Sequence, residues 1–147
     1  MFKTRLPQCR RQNLDQVVEL AVPVRPQGIK RLIRAHLDWV VEHRAEARYL
    51  FEISRGDWTE ELRDRQRALN ARFAEGIERW RAPLVARGEL LPLPQAIFGS
   101  QVIGPAQIFC RAYLSGRERG DVRQHAGQLV ACAIRALVAD SAKGDAT

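Results

Sequence analysis

Two glycines, Gly99 and Gly104, have the spacing of a phosphate-binding loop in the segment "AIFGSQVIGPAQIFCRAYLSGR". Such a loop needs Lys and then Ser or Thr directly after the second glycine, because these side chains reach the phosphates and a magnesium ion. Pro105 and Ala106 stand there instead. The sequence therefore excludes a phosphate loop at this point.

The other residue types that perform chemistry are too dispersed to predict an active site. The histidines His36, His43 and His125 lack the H-x-x-x-H spacing of a zinc site. No serine stands in a nucleophile elbow, and no pair of carboxylates stands on an apolar helix face. The three cysteines are far apart and odd in number, which fits neither a disulfide framework nor a metal knuckle. We expect no enzyme, no metal and no cofactor, and a reducing, cytoplasmic setting.

The chain is basic, with 24 Lys and Arg against 17 Asp and Glu and a formal net charge of +7. A basic chain of this size is typical of a nucleic-acid partner. Over most of the sequence, however, acidic and basic residues interleave as they do on a solvated helix face. Residues 1–11, "MFKTRLPQCRR", form a basic block without an acid. DNA binding through this block therefore remains an alternative function.

Hydrophobic periodicity predicts an all-α fold of about five helices. Apolar residues recur at steps of three and four, and no alternation of apolar and polar residues requires a strand. The last helix is apolar on two faces, which predicts two packing partners. Polar residues interrupt every apolar run before it reaches about 18 residues, so we expect no membrane span. The predicted helices cover residues 27–44, 45–54, 59–82 with a kink or end near Pro83, 96–117 with a kink near Pro105, and 122–139.

Aromatic side chains come from most of these helices, at positions that allow them to line one space between the helices. Packing in an ordinary core is the alternative for each of them, since aromatics at helical spacing usually serve that purpose. The predicted ligand-binding residues are Trp39, Phe51, Trp58, Phe73, Ile77, Trp80, Phe98, Val102 and Phe109.

Two motifs of this sequence resemble the C-terminal regulatory domain of TetR-family transcriptional regulators. "HRAEARYLFE", residues 43–52, resembles the family's His-Pro-x-Glu-Ala-Arg-Phe-Leu turn, although Arg44 replaces the proline. "GPAQIFCRAYLSGR", residues 104–117, resembles its Gly-Pro-Ala-x-x-x-x-Arg-x-x-Leu-x-Gly pattern. The resemblance extends from about Gln27 to Ala139. It implies that residues 27–140 are a TetR-like regulatory domain and residues 141–147 a frayed tail.

The family's N-terminal helix-turn-helix head has no counterpart in this chain. Residues 1–26 match none of it, and at most "NLDQVVELA" stands where the family's connecting helix joins head to body. DNA is therefore expected as a partner only where such a head is present.

The resemblance implies a homodimer in which the last two long helices of each subunit form a four-helix bundle. It also implies a small apolar or aromatic effector inside each subunit of a repressor. Small residues on these helices agree with a close helix–helix approach. The alternative is a ligand-free dimerisation or protein-interaction module. The predicted interface residues are Gly99, Gly104, Ala106, Tyr113, Ala126, Val130, Ala133 and Leu137.

Overall fold

The computed structural model describes residues 25–53 and 60–140, and within these ranges the all-α prediction is confirmed. A bridge between Leu90 and Val138 is the one β-type pairing in this part of the chain. The helices are α1 (Arg25–Glu42), α2 (Arg44–Ile53), α3 (Glu60–Ala86), α4 (Gln95–Leu114), a 3-10 helix (Val122–His125) and α5 (Ala126–Leu137).

The predicted helix boundaries need two corrections. Of the two outcomes predicted at Pro83, a kink or an end, the end is wrong, since α3 continues to Ala86. The last helix does not begin as an α-helix at Val122, because a 3-10 turn precedes α5. The carboxylate of Asp121 caps this turn by accepting a hydrogen bond of 2.9 Å from the backbone N–H of Arg123.

Helix α1 forms the centre of the bundle because it is apolar on most of its sides. Its residues Ile29, Leu32, Ile33, Leu37 and Val40 are each exposed by 1% or less. Helix α1 packs against α2, α4 and α5, and α4 also packs against α5. Burying each such side chain contributes about 1.5–3 kcal/mol to the free energy of unfolding. These contacts hold α4 and α5 in place around α1.

Helix α3 joins this bundle through its C-terminal half. Ile77, Arg81 and Leu84 are its buried residues among those whose burial is described, and Leu69 and Phe73 are half-buried. Phe73, Ile77, Trp80 and Leu84 therefore form an apolar stripe by which α3 contacts the bundle. The residues before Leu69 whose side chains are described are exposed and mostly charged.

The segment between α3 and α4 is attached to the end of α5. Gly88 has a φ of +73°, in the left-handed region that lets the chain turn after α3. The backbone N–H of Leu91 donates to the carbonyl of Leu137 at 2.9 Å, and the N–H of Ala139 donates to the carbonyl of Glu89 at 3.1 Å. These bonds fix where α4 begins.

Candidate functional site

The predicted ligand-binding residues come from four helices, and all except Trp58 lie in the described ranges. Trp58 lies outside them. Trp39, Ile77, Phe98 and Val102 are buried, whereas Phe51, Phe73, Trp80 and Phe109 are half-buried.

Not all of these rings meet in one place. The ring of Trp39 stacks on His43 at a centroid distance of 5.7 Å. The ring of Phe109 meets His125 edge-on at 5.1 Å. Phe51 lies on α2, where its ring faces a guanidinium from α4. In these contacts Trp39, Phe109 and Phe51 each meet a different partner.

The junction of α1, α3 and α4 does bring predicted residues together. The rings of Trp80 and Phe98 lie 6.0 Å apart between centroids, inclined by 52°. Trp80 also covers Gly28 on α1, where an added Cβ would lie 2.2 Å from Cζ2 of the indole. Gly28 therefore lets the indole lie directly on the backbone of α1.

Arg81 is the residue of this junction that the sequence did not predict. It is only 7% exposed, and its Nη1 donates a hydrogen bond of 2.6 Å to the carbonyl of Leu93. Its guanidinium carbon lies 5.2 Å from the centroid of the Phe98 ring, and Glu78 pairs with it at 3.0 Å. Arg81 stands four residues after Ile77 on the apolar stripe of α3, and this position is the sequence signal from which its burial could have been predicted.

Three buried ring nitrogens have no hydrogen-bond partner among the described residues. They are Nε2 of His36 and Nε1 of Trp39 and of Trp80. Leaving a buried polar group unpaired costs about 1–3 kcal/mol, so such groups usually meet water or a ligand. His36 and Trp39 are three residues apart and therefore share one side of α1. Burial lowers the pKa of His36 from 6.5 to about 4, so its imidazole is neutral at neutral pH.

A concave site lies between α2 and the C-terminal end of α4. Its volume is about 450 Å³, and we call it the basic cleft. Arginines supply three of its side chains, while two apolar residues form the rest of its wall together with a glutamate and a serine. The lining residues are Arg48, Phe51, Glu52, Arg111, Leu114, Ser115 and Arg117.

Most of the predicted interface residues lie in the core of the chain itself. Six of them are exposed by 9% or less, because the other helices of the same bundle cover them. Gly99 is exposed and Gly104 is half-buried, and an added Cβ at either would meet nothing within 4 Å. Of the predicted set, only these two glycines lie where a second copy of the chain can reach. The six core residues are Ala106, Tyr113, Ala126, Val130, Ala133 and Leu137.

Metal-binding and nucleophilic groups are sparse in the described part of the chain. No group of three or more His, Cys, Asp or Glu side chains is placed there to hold a metal ion. Burial raises the pKa of Cys110 to about 12, which keeps this thiol protonated and unreactive at neutral pH. None of the helices in the two described ranges is both long and apolar enough to span a bilayer.

Comparison with models of known protein families and with curated proteins found no match to this chain. The resemblance to TetR-family regulators therefore depends on the motifs of the sequence.

Proposed function

We propose that this chain is the ligand-sensing and dimerisation domain of a TetR-like transcriptional repressor, and that it acts as a homodimer in the cytoplasm. The observation that carries the proposal is the pair of exposed isoleucines on the outer face of α4. Ile97 and Ile108 lie on it with exposures of 48% and 71%, and they are the large apolar residues that stand out as exposed in the described ranges. Isoleucines exposed on one side of a helix give a partner apolar surface to cover.

The proposed dimer face runs along α4 and continues onto α5. Ile97, Gly104 and Ile108 follow one another at steps of seven and four residues, so they lie on one side of α4. Gly127 and Cys132 are exposed on α5, which packs beside α4. Two copies related by a two-fold axis would bring both helix pairs together as a four-helix bundle. This face differs from the predicted one. The predicted alanines Ala106, Ala126 and Ala133 are buried inside the protomer.

Ile108→Glu is expected to convert the dimer into a monomer. A two-fold interface places the same residue in both copies, so the substitution buries two unpaired carboxylates. One uncompensated buried charge costs about 3–5 kcal/mol, which raises the dimer dissociation constant at least a hundredfold. Light scattering after size exclusion measures the mass of each variant.

Gln107→Glu is the matched control, because Gln107 is the exposed neighbour of Ile108 and undergoes the same change in charge. We expect this control to remain dimeric. A wild-type chain that is monomeric at every concentration measured contradicts the dimer, and a dimeric Ile108→Glu variant contradicts its assigned face.

The proposed effector site is the region around Trp80, Phe98 and the buried face of α1. The unpaired Nε1 of Trp80 would donate to an acceptor atom on the effector. We therefore propose an apolar or aromatic effector that carries a hydrogen-bond acceptor. Its binding would favour one arrangement of α1, α3 and α4 over another. In a regulator with a helix-turn-helix head, that change would alter the spacing of the two DNA-reading helices.

A thermal-shift screen with neutral aromatic compounds is expected to find ligands that stabilise the chain. A ligand at a hundred times its Kd adds about 2.7 kcal/mol to the free energy of unfolding, which raises Tm by several degrees. Trp80→Phe keeps a ring but removes the indole N–H, so we expect it to reduce the shift.

Phe109→Leu is the control, since this ring lies beside His125. We expect the shift to persist in this variant. A dimer that no compound stabilises favours the alternative of a ligand-free dimerisation module. Tight DNA binding that depends on residues 1–11 and weakens steeply with salt favours the other alternative.

A further inference from the structure

We propose that the basic cleft between α2 and α4 binds an amphipathic organic anion, meaning an apolar body that carries one carboxylate or similar acidic group. This site is separate from the proposed effector site at Trp80. It depends neither on dimerisation nor on a role in transcription.

Arg111 is the first anion-binding group of the cleft. It is exposed on the last turn of α4, and its guanidinium carbon lies 5.8 Å from the centroid of the Phe51 ring on α2. No described carboxylate pairs with it. Stacking on an aromatic ring leaves the N–H groups in the plane of the guanidinium available to an anion.

Arg117 is the second anion-binding group, and the turn after α4 places it on the cleft. Gly116 has a φ of +77°, which returns the chain so that the N–H of Arg117 donates to the carbonyl of Ala112 at 3.0 Å. The Nε of Arg117 donates to Oγ of Ser115 at 3.1 Å, which orients the guanidinium. Its two terminal nitrogens have no acidic partner in the described ranges.

Arg48 is the third anion-binding group of the cleft, and its described salt bridge lies at the surface. Its Nε lies 3.0 Å from Oε1 of Glu52, one turn further along α2, and both side chains are more than 60% exposed. Exposed pairs of this kind contribute at most about 1 kcal/mol, so a ligand displaces them easily. With Glu52 included, the lining carries two more positive than negative charges.

The size and the walls of the cleft indicate the class of ligand. A volume of about 450 Å³ is within the range of pockets for small molecules, and it is too small for a folded partner. Phe51 and Leu114 give the ligand an apolar surface, which an inorganic anion would not use. Guanidinium groups bind carboxylates through two parallel hydrogen bonds, so an acidic group on an apolar body satisfies both parts of the lining.

Calorimetric titration of the full chain with 1-naphthoate tests this inference. The neutral amide of the same ring system and inorganic phosphate serve as comparison ligands. We expect 1-naphthoate to bind and each comparison ligand to bind at least about tenfold more weakly, because one lacks the charge and the other the apolar body. Binding of 1-naphthoate is also expected to weaken as salt is added.

Variants of the arginines locate the site. Arg111→Gln and Arg117→Gln are each expected to weaken 1-naphthoate binding about tenfold or more, and Arg111→Lys to weaken it less. Arg72→Gln on the exposed half of α3 makes the same change in charge away from the cleft and is expected to have no effect. Circular dichroism melting checks that each variant is folded.

Backbone amide shifts on titration give an independent map. We expect the largest shifts at residues 48–52 and 111–117. Equal binding of the naphthoate and its amide, unchanged binding in Arg111→Gln, phosphate binding as tight as that of naphthoate, or shifts centred on Trp80 would each overturn the inference.

Discussion

Acidification from pH 6.5 to pH 4 is expected to cost the folded chain about 3 kcal/mol through His36 alone. Burial lowers the pKa of His36 from 6.5 to about 4, so in this window the unfolded chain binds a proton that the folded chain does not. Stability therefore falls as the pH falls, by up to about 1.4 kcal/mol per pH unit. The contribution is complete above pH 6.5, where the imidazole is neutral in both states.

His36→Met isolates this contribution. Methionine has a similar volume and no titrating group. Nε2 of His36 has no hydrogen-bond partner among the described residues, so the substitution leaves no such partner of Nε2 unpaired. We expect the two proteins to differ by less than about 1.5 kcal/mol at pH 7. Between pH 7 and pH 4.5, the difference in unfolding free energy between the two proteins should shift by about 2–3 kcal/mol in favour of the variant.

Urea unfolding of both proteins at several pH values measures the difference, and carboxylates that titrate in the same window cancel between them. If the difference in unfolding free energy between the two proteins stays constant from pH 7 to pH 4.5, His36 takes up its proton as readily in the folded chain as in the unfolded chain. That result would contradict the lowered pKa. An NMR titration of the imidazole then gives its folded pKa directly.

The periodicity of the sequence was sufficient to predict the helices and much of the core. The apolar residues of α1 that recur at steps of three and four are buried, as this periodicity predicts. Periodicity says which residues share a face, but it does not say which neighbour covers that face. Ala106 and Ala133 were assigned to a second chain for this reason, whereas they are buried inside this one.

The candidate site was harder to predict because Arg81, a charged residue, is buried against the usual rule. Arg81 belongs to a helix whose other charges are solvated, and its burial depends on the carbonyl of Leu93, twelve residues later. The basic cleft likewise joins Phe51 to Arg111, sixty residues apart. Such pairs depend on how α2, α3 and α4 are placed around α1, which no local pattern of residue types determines. The aromatic part of the site was easier to predict, since Trp80 and Phe98 were both named from the sequence and their rings lie close together.

Gly28→Ala is expected to destabilise the chain although alanine is the better helix former. The added methyl group would lie 2.2 Å from Cζ2, 2.6 Å from Cε2 and 2.9 Å from Nε1 of Trp80, so the whole indole has to move. Overpacking of this kind typically costs about 1–3 kcal/mol. The gain in helix propensity is at most about 1 kcal/mol, so the clash should prevail. Thermal or urea unfolding measures the net loss.

Gly99→Ala is the matched control, because Gly99 is also helical and its added Cβ meets nothing within 4 Å. We expect this variant to be as stable as the wild type or slightly more stable. The pair Gly28→Ala and Trp80→Phe completes a double-mutant cycle. Phenylalanine lacks the atoms that clash, so the double variant should be more stable than the two single losses predict, by about 1 kcal/mol or more.

A cycle without coupling would mean that the indole of Trp80 does not lie on Gly28. It would also remove the contact that joins α1 to α3 at the proposed effector site. A coupled cycle would instead show that the indole of Trp80 joins α3 to α1 by packing on Gly28. The same Trp80→Phe variant should then lose part of the thermal shift that a bound aromatic compound produces, which links the packing of this junction to the proposed sensing.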